Sequence, residues 1–218
     1  MNETHSQPGL VSWDDLGWEI RREGEALVRE YAGVFNRETV QRFVAESAHA
    51  LSDARRQEFV PLFVRRFARE RLRDIAIGEG LMSKDRPEIL FVCVRNAGRS
   101  QMAAAFASRL GGEGVTVRSA GSMPGDEVHP AVVQAMDEVG LDLSQEFPKP
   151  LTDDVVKVAD VVITMGCGDA CPIYPGKRYL DWEVDDPAEL DIEGVRRVRA
   201  DIEGRVKTLL AELGVAVA

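Results

Sequence analysis

A continuous apolar run at residues 89–92, Ile-Leu-Phe-Val, is the feature that most restricts how this chain can fold. A short run without polar alternation is typical of a strand buried on both faces, as in parallel sheets. Residues 115–117 and 161–164 suggest further strands, and helical spacing lies between them at 100–110 and 130–139. Because strands alternate with helices, the sequence predicts a parallel sheet whose ligand sites lie at the carboxyl ends of the strands.

The front of the chain has a different pattern. Residues 13–78 show only helical spacing of apolar residues, in three successive stretches, and Asn36 is placed to cap the second helix. A stretch with chain breakers, including Gly78 and Pro87, follows. The sequence therefore predicts a flexible tail, a three-helix domain and an α/β domain at residues 1–12, 13–82 and 87–218, respectively.

The third predicted helix is basic. Only Glu58 and Glu70 oppose its arginines, which are Arg55, Arg56, Arg65, Arg66, Arg69, Arg71 and Arg73. Such a face is either solvated and paired with acidic residues of its own domain, or it docks onto an acidic partner or a second copy of the chain. From its separate apolar pattern and this basic helix, we expect the domain to self-associate as a homodimer.

Charge and hydropathy argue against several classes of function. The chain has 27 basic and 37 acidic residues, a net charge of −10, which disfavours binding to nucleic acid or an anionic membrane. No apolar run approaches the roughly 20 residues that a spanning helix needs. The polar residues 1–12 show no signal-peptide pattern, so a cytoplasmic location is expected. Three cysteines at unequal spacing make a poor disulfide framework.

The first cysteine opens the most informative motif. Cys93 follows the buried run, a turn containing Gly98 comes next, and Arg99-Ser100 begins a helix. Backbone N–H groups in such a turn form an anion nest, which the helix N-terminus reinforces, so it can hold both a thiolate and a tetrahedral oxyanion. Arg99 can bind two oxyanion oxygens at once, and Ser100 can donate to the sulfur. The predicted oxyanion site comprises Val94, Arg95, Asn96, Ala97, Gly98, Arg99 and Ser100.

The other two cysteines lie together. Cys167 and Cys171 follow the predicted strand at 161–164, so their loop opens on the same edge of the sheet as Cys93. A zinc half-site is one interpretation, but neither the histidines nor other ligands supply the missing half at close spacing. A redox pair explains the spacing better. We expect no bound metal ion.

A third cluster contains an acid before a proline, Asp186-Pro187. The proline ring disfavours a helical conformation for Asp186, so its carboxyl can point toward a site. A general acid is required to protonate the oxygen that leaves an oxyanion.

These motifs resemble known families. The stretch from Cys93 to Ser100, with Asp186-Pro187 far downstream, is similar to that of the low molecular weight protein tyrosine phosphatases. Other segments resemble the arsenate reductases that share the phosphatase fold, namely residues 100–103, 119–121 and 164–169. The resemblance covers about residues 87 to 215 and implies an α/β fold, a flavodoxin-like sheet of four parallel strands with helices on both faces.

The resemblance also implies a mechanism. Cys93 would attack arsenate, held by Arg99 and the loop backbone, and Asp186 would protonate the departing hydroxide. Cys167 would then attack the Cys93 sulfur and release arsenite, and Cys171 would take over the disulfide for thioredoxin to reduce. No cofactor would be bound, and thioredoxin would be an external reductant.

Two departures from the family pattern bear on this mechanism. The better-known pattern places more residues between the second and third cysteines than the three found here, 168–170. Some relatives instead use an external thiol such as mycothiol, which would make Cys171 dispensable. Some relatives also bind potassium through an acidic residue where this chain has Ala104.

Two other functions remain open at this stage. A phosphotyrosine phosphatase would need only Cys93, Arg99 and Asp186, but such enzymes usually carry aromatic residues near the acid, where this chain has Ala188 and Glu189. A non-enzymatic arsenic sensor or scaffold would bind without turnover.

Overall fold

The computed structural model describes residues 11–166 and 171–216. The chain divides into two compact units, the first ending at Leu81 and the second beginning at Met82. Within the described residues, no helix is long and apolar enough to cross a membrane.

The first unit consists of three helices, α1 (Trp18–Glu30), α2 (Arg37–Ala50) and α3 (Val60–Gly78), each of which packs against the other two. Asn36 caps α2, because its side chain accepts a hydrogen bond from the Thr39 N–H at 2.8 Å. The buried apolar positions include Leu27, Val40, Phe43, Val44, Phe63, Val64, Phe67 and Leu72. The predicted three-helix bundle is confirmed.

Several arginines of the basic helix α3 pair with acidic residues of the same unit. Arg65 contacts Glu23 at 2.9 Å, Arg69 contacts Glu30 at 2.5 Å, and Arg71 contacts Glu46 at 3.0 Å. The two glutamates that pair with Arg65 and Arg69 lie on α1, and Glu46 lies on α2. For these three arginines the acid-paired interpretation is therefore correct, and their ion pairs connect α3 to α1 and α2.

The second unit is built on a four-stranded parallel sheet with strand order β2-β1-β3-β4. Its strands are β1 (Glu88–Cys93), β2 (Thr116–Gly121), β3 (Val161–Met165) and β4 (Arg178–Asp181). Cys93 is in register with Gly121 on one side and Met165 on the other, so the carboxyl ends of three strands lie level with one another. The predicted flavodoxin-like architecture is confirmed.

Helices cover both faces of this sheet, and side chains that alternate along β1 separate the two cores. Phe91 and Cys93 belong to the larger core, which includes residues of helices α4 (Arg99–Gly111), α5 (Pro130–Asp137) and α7 (Ile192–Glu212). Leu90 and Val92 belong to the smaller core, which includes residues of helix α6 (Asp153–Val158).

Some elements differ from the prediction. Strand β2 continues to Gly121 instead of ending at 117, and helix α5 ends at Asp137 instead of 139. The sequence did not mark β4 as a strand, because β4 lies at the edge of the sheet and its terminal residues Arg178 and Asp181 are exposed. Helix α6 was also missed; its six residues span less than two turns.

An ion pair anchors α5 against α7. Arg196 contacts both carboxylate oxygens of Glu138, at 2.9 and 2.5 Å. These hydrogen bonds lower the pKa of Glu138 to about 2. The contact fixes the carboxyl end of the helix whose first residue, Pro130, borders the site described next.

Candidate active site

The loop between β1 and α4 turns its amides to one side. Six consecutive carbonyls, from Cys93 to Gly98, accept hydrogen bonds from outside the loop. The donors are the backbone amides of Ser122, Met123, Gly125, His129 and Met102 and the side chain of Gln101. The structure contains no cis peptide among its described residues, so each following N–H points opposite to its carbonyl. The amides of residues 94–99 therefore face the concave side of the loop.

Glycines allow this loop to pack closely against its neighbours. A Cβ on Gly121 would lie 2.8 Å from the Val94 carbonyl oxygen and 2.9 Å from the Asn96 nitrogen. A Cβ on Gly98 would lie 2.7 Å from Cγ of Pro187. Gly121 therefore supports the loop from β2, and Gly98 lets the Asp-Pro corner rest directly on the loop.

A buried chain of hydrogen bonds leads to the Cys93 sulfur. The sulfur lies 3.0 Å from Oγ of Ser100, and that oxygen accepts a hydrogen bond from Nδ2 of Asn96 at 2.8 Å. All three residues are buried, with Cys93 exposing 2% of its surface. A thiolate can only accept, so in that state the Ser100 hydroxyl donates to it. The arrangement stabilises negative charge on the sulfur.

The orientation of the Asn96 amide follows from its other partners. Its Oδ1 accepts from the backbone N–H of Lys149 at 2.8 Å and from Nε2 of Gln101 at 3.2 Å. A backbone N–H can only donate, so the oxygen must face Lys149 and the NH₂ group must face Ser100. These contacts also hold Asn96 in the left-handed region, at φ 48°.

Gln101 and Lys149 are site residues that sequence reasoning missed. Gln101 lies directly after Ser100 in the motif, and it also donates to the Phe147 carbonyl at 3.1 Å. Its place in the motif was the only signal, and Lys149 gave none, because it acts through its backbone N–H.

Arg99 and Asp186, which are 87 residues apart, meet at the mouth of the loop. A terminal nitrogen of Arg99 donates to Oδ2 of Asp186 at 2.7 Å, and the other donates to the Val184 carbonyl at 3.3 Å. The second oxygen of Asp186 accepts from the Ala188 N–H at 3.1 Å, at the start of a short 3-10 helix. The structure thus brings the predicted acid next to the predicted oxyanion ligand.

A pocket of about 220 Å³ opens in front of Cys93. Its walls come from the 93–99 loop, residues 125–130 and the 186–188 corner, and they include the side chains of Arg95 and His129. Among the described residues that line it there is no Phe, Tyr or Trp. The pocket therefore suits a small oxyanion better than the ring of a phosphotyrosine.

The other two cysteines are placed differently. Cys167 lies outside the described residues. Cys171 is buried in the smaller core, beside residues such as Val92 and Val156, so it lies on the opposite face of the sheet from Cys93. The structure does not bring Cys171 into the pocket.

Comparisons with known proteins agree with this geometry. Residues 88–217 match the family model described as low molecular weight phosphotyrosine protein phosphatase, and residues 20–76 match the N-terminal domain of protein-tyrosine-phosphatase-like proteins. The solved thioredoxin-dependent arsenate reductase of Corynebacterium glutamicum is 43% identical, with a TM-score of 0.81, covering 89% of this chain and 96% of that one.

Two curated relatives match the second unit. The arsenate reductase of Staphylococcus aureus is 37% identical over 123 residues, 55% of this chain and 92% of the relative. The glutaredoxin arsenate reductase of Synechocystis is 36% identical over 129 residues, 58% of this chain and 98% of the relative. With its thiol loop, its acid and these matches, the chain belongs to the low molecular weight phosphotyrosine protein phosphatase family.

Proposed function

We propose that this protein is an arsenate reductase. The observation that carries the proposal is the Cys93 sulfur, buried in an amide-lined loop beside Arg99 and Asp186, in a pocket whose described lining contains no Phe, Tyr or Trp. The 43% identity to the C. glutamicum enzyme, across most of both chains, supports the same reaction.

In the first step, the Cys93 thiolate attacks the arsenic atom and a sulfur–arsenic bond forms. The amides of 94–99 and Arg99 bind the arsenate oxygens. Because Arg99 donates to Asp186 in the free protein, arsenate that engages Arg99 releases the Asp186 carboxylate, which takes a proton from solvent and passes it to the hydroxide that leaves as water.

In the second step, a Cys167 thiolate attacks the Cys93 sulfur and the sulfur–arsenic bond breaks. The electron pair of the sulfur–arsenic bond stays on arsenic, which leaves as arsenite. The Cys93 and Cys167 thiols are thereby oxidised to a disulfide. Cys171 then attacks Cys167, which regenerates the Cys93 thiolate and leaves a Cys167–Cys171 disulfide. In the structure, Cys171 belongs to the smaller core of the sheet.

Thioredoxin is the proposed reductant of that last disulfide, in keeping with the thioredoxin-dependent C. glutamicum relative. Mycothiol is the alternative. With mycothiol as the external thiol on the Cys93 adduct, neither Cys167 nor Cys171 would be required.

A coupled assay tests these proposals together. In a mixture of the purified protein, thioredoxin, thioredoxin reductase and NADPH, NADPH should be consumed only when arsenate is added. A phosphatase would instead release phosphate from p-nitrophenyl phosphate, and that activity would survive Cys167→Ser. If neither thioredoxin nor mycothiol supports arsenate-dependent turnover, the proposed function is wrong.

For the first unit, self-association as a homodimer stays our prediction. Because three arginines of α3 form ion pairs within the unit, exposed apolar side chains such as Trp18 and Leu62 would have to contribute to such an interface. Light scattering of the full chain tests this, and a monomer mass at micromolar concentration would contradict it.

A further inference from the structure

Gly166 follows β3 directly and lies against the guanidinium of Arg99. A Cβ built on Gly166 would be 3.0 Å from one terminal nitrogen of Arg99, 3.8 Å from Cζ and 3.9 Å from the other nitrogen. The shortest of these distances is below the roughly 3.5 Å of ordinary contact between heavy atoms. Any side chain at this position would therefore push on the guanidinium.

The guanidinium has little room to yield. Its two terminal nitrogens donate to Val184 and Asp186, and the Arg99 side chain exposes only 11% of its surface. Binding of a tetrahedral oxyanion by the planar fork of an arginine depends on its orientation. A shift of a few tenths of an ångström therefore misaligns the donors that the oxyanion needs.

Gly140 serves as a control, because it allows the contact with an arginine to be distinguished from the effect of a positive φ alone. Gly140 has the same φ as Gly166, +73°, and a Cβ there would also face an arginine, with the nearest nitrogen of Arg109 at 3.5 Å. The two positions therefore share a positive φ, which favours glycine. Only at Gly166 would the added atom come closer to the arginine than ordinary contact.

We propose that Gly166 is a positioning residue: the absence of a side chain there sets the orientation of Arg99 and thereby the affinity of the loop for tetrahedral oxyanions. The inference rests on the proposed function in taking Arg99 as an arsenate ligand. It adds a determinant of substrate affinity directly after β3, outside the loop that follows β1.

Gly166→Ala and Gly140→Ala form a matched pair for the test. Both substitutions place an alanine at a positive φ, so both should lower the urea midpoint of unfolding by similar amounts. Gly166→Ala should weaken inorganic phosphate binding, measured by calorimetry, and raise the KM for arsenate by about tenfold, the loss expected for one charge-assisted hydrogen bond. Gly140→Ala should leave both values within about twofold of the parent.

A double-mutant cycle with Arg99→Lys distinguishes positioning from general damage. In the Arg99→Lys background no guanidinium faces residue 166, so Gly166→Ala should weaken phosphate binding by less than about twofold. An equal loss in both backgrounds would overturn the inference, as would equal effects of the two alanines in the parent. Phosphate binding does not require turnover, so a parent protein that fails to reduce arsenate would reject the proposed function and leave this test valid.

Discussion

Cys93 and Cys171 are both buried members of an apolar core, exposing 2% and 9% of their surfaces, but their polar contacts differ. Cys93 lies 3.0 Å from the Ser100 hydroxyl, in a loop whose amides face it. Cys171 lies in a core that includes Val92 and Val156. Burial therefore does not distinguish the two thiols, whereas the hydroxyl and amide contacts of Cys93 do.

The two thiols also lie on opposite faces of the sheet. Val92, next to Cys93 in β1, points into the core that contains Cys171, while Cys93 points into the other core. A disulfide relay between them therefore has to pass around the carboxyl end of the sheet. In the proposed mechanism, Cys167, which follows β3 in the sequence, makes that connection.

The largest contrast between the thiols should appear in the chemical step. Cys93→Ser should lower arsenate reduction by at least about a thousandfold, because a serine hydroxyl cannot replace the thiolate as nucleophile or form the disulfide. Arsenite formed per enzyme in a single turnover is the measurement. A variant that keeps half the parent rate would show that Cys93 is not the nucleophile.

Cys171→Ala tests whether the second buried thiol acts only late in the cycle. With thioredoxin, steady-state turnover should fall by roughly a hundredfold, because the Cys93–Cys167 disulfide then has no resolving partner. A single turnover should still release about one arsenite per enzyme, detected by arsenic speciation. Full thioredoxin-supported turnover without Cys171 would mean that thioredoxin reduces the Cys93–Cys167 disulfide directly, and would make Cys171 a core residue only.

Ser100→Ala tests the hydrogen bond that sets Cys93 apart. Losing one donor to a charged sulfur should reduce kcat/KM for arsenate by about ten- to a hundredfold. Ser108→Ala is the matched control, because Ser108 is an exposed serine on the same helix α4. If both variants were equally active, the Ser100 contact would have no part in activating the sulfur.

Parts of this molecule could be predicted because their signal is local. Strands β1 and β3 are buried on both faces, so continuous apolar runs marked them, whereas the edge strand β4 has no such run. The loop from Cys93 to Ser100 is likewise contained in eight consecutive residues. The residue types there and their order are the basis of the predicted oxyanion site.

The supporting contacts were not predictable for a physical reason. Gln101 reaches the Phe147 carbonyl across 46 residues, and Lys149 donates its backbone N–H to Asn96 across 53 residues. Backbone groups are the same in every residue, so such contacts leave no mark on composition or spacing. The contact between Gly166 and Arg99 was also not predictable, because it depends on the absence of a side chain at residue 166.

The smallest expected effect is on stability, and it reverses the order of the two thiols. Cys171→Ser replaces the sulfur with a smaller and more polar oxygen in the smaller core, and should lower the free energy of unfolding by about 1–3 kcal/mol because apolar contacts are lost. Cys93→Ser should change it by no more than about 0.5 kcal/mol, because the Ser100 hydroxyl and the loop amides can bond the new hydroxyl. Urea unfolding followed by circular dichroism gives both values. Cys171→Val, which adds no polar atom, should stay closer to the parent than Cys171→Ser. Equal losses of stability for the two serine variants would mean that the surroundings of Cys93 accommodate a hydroxyl no better than those of Cys171, and the contrast between the two sites would not hold.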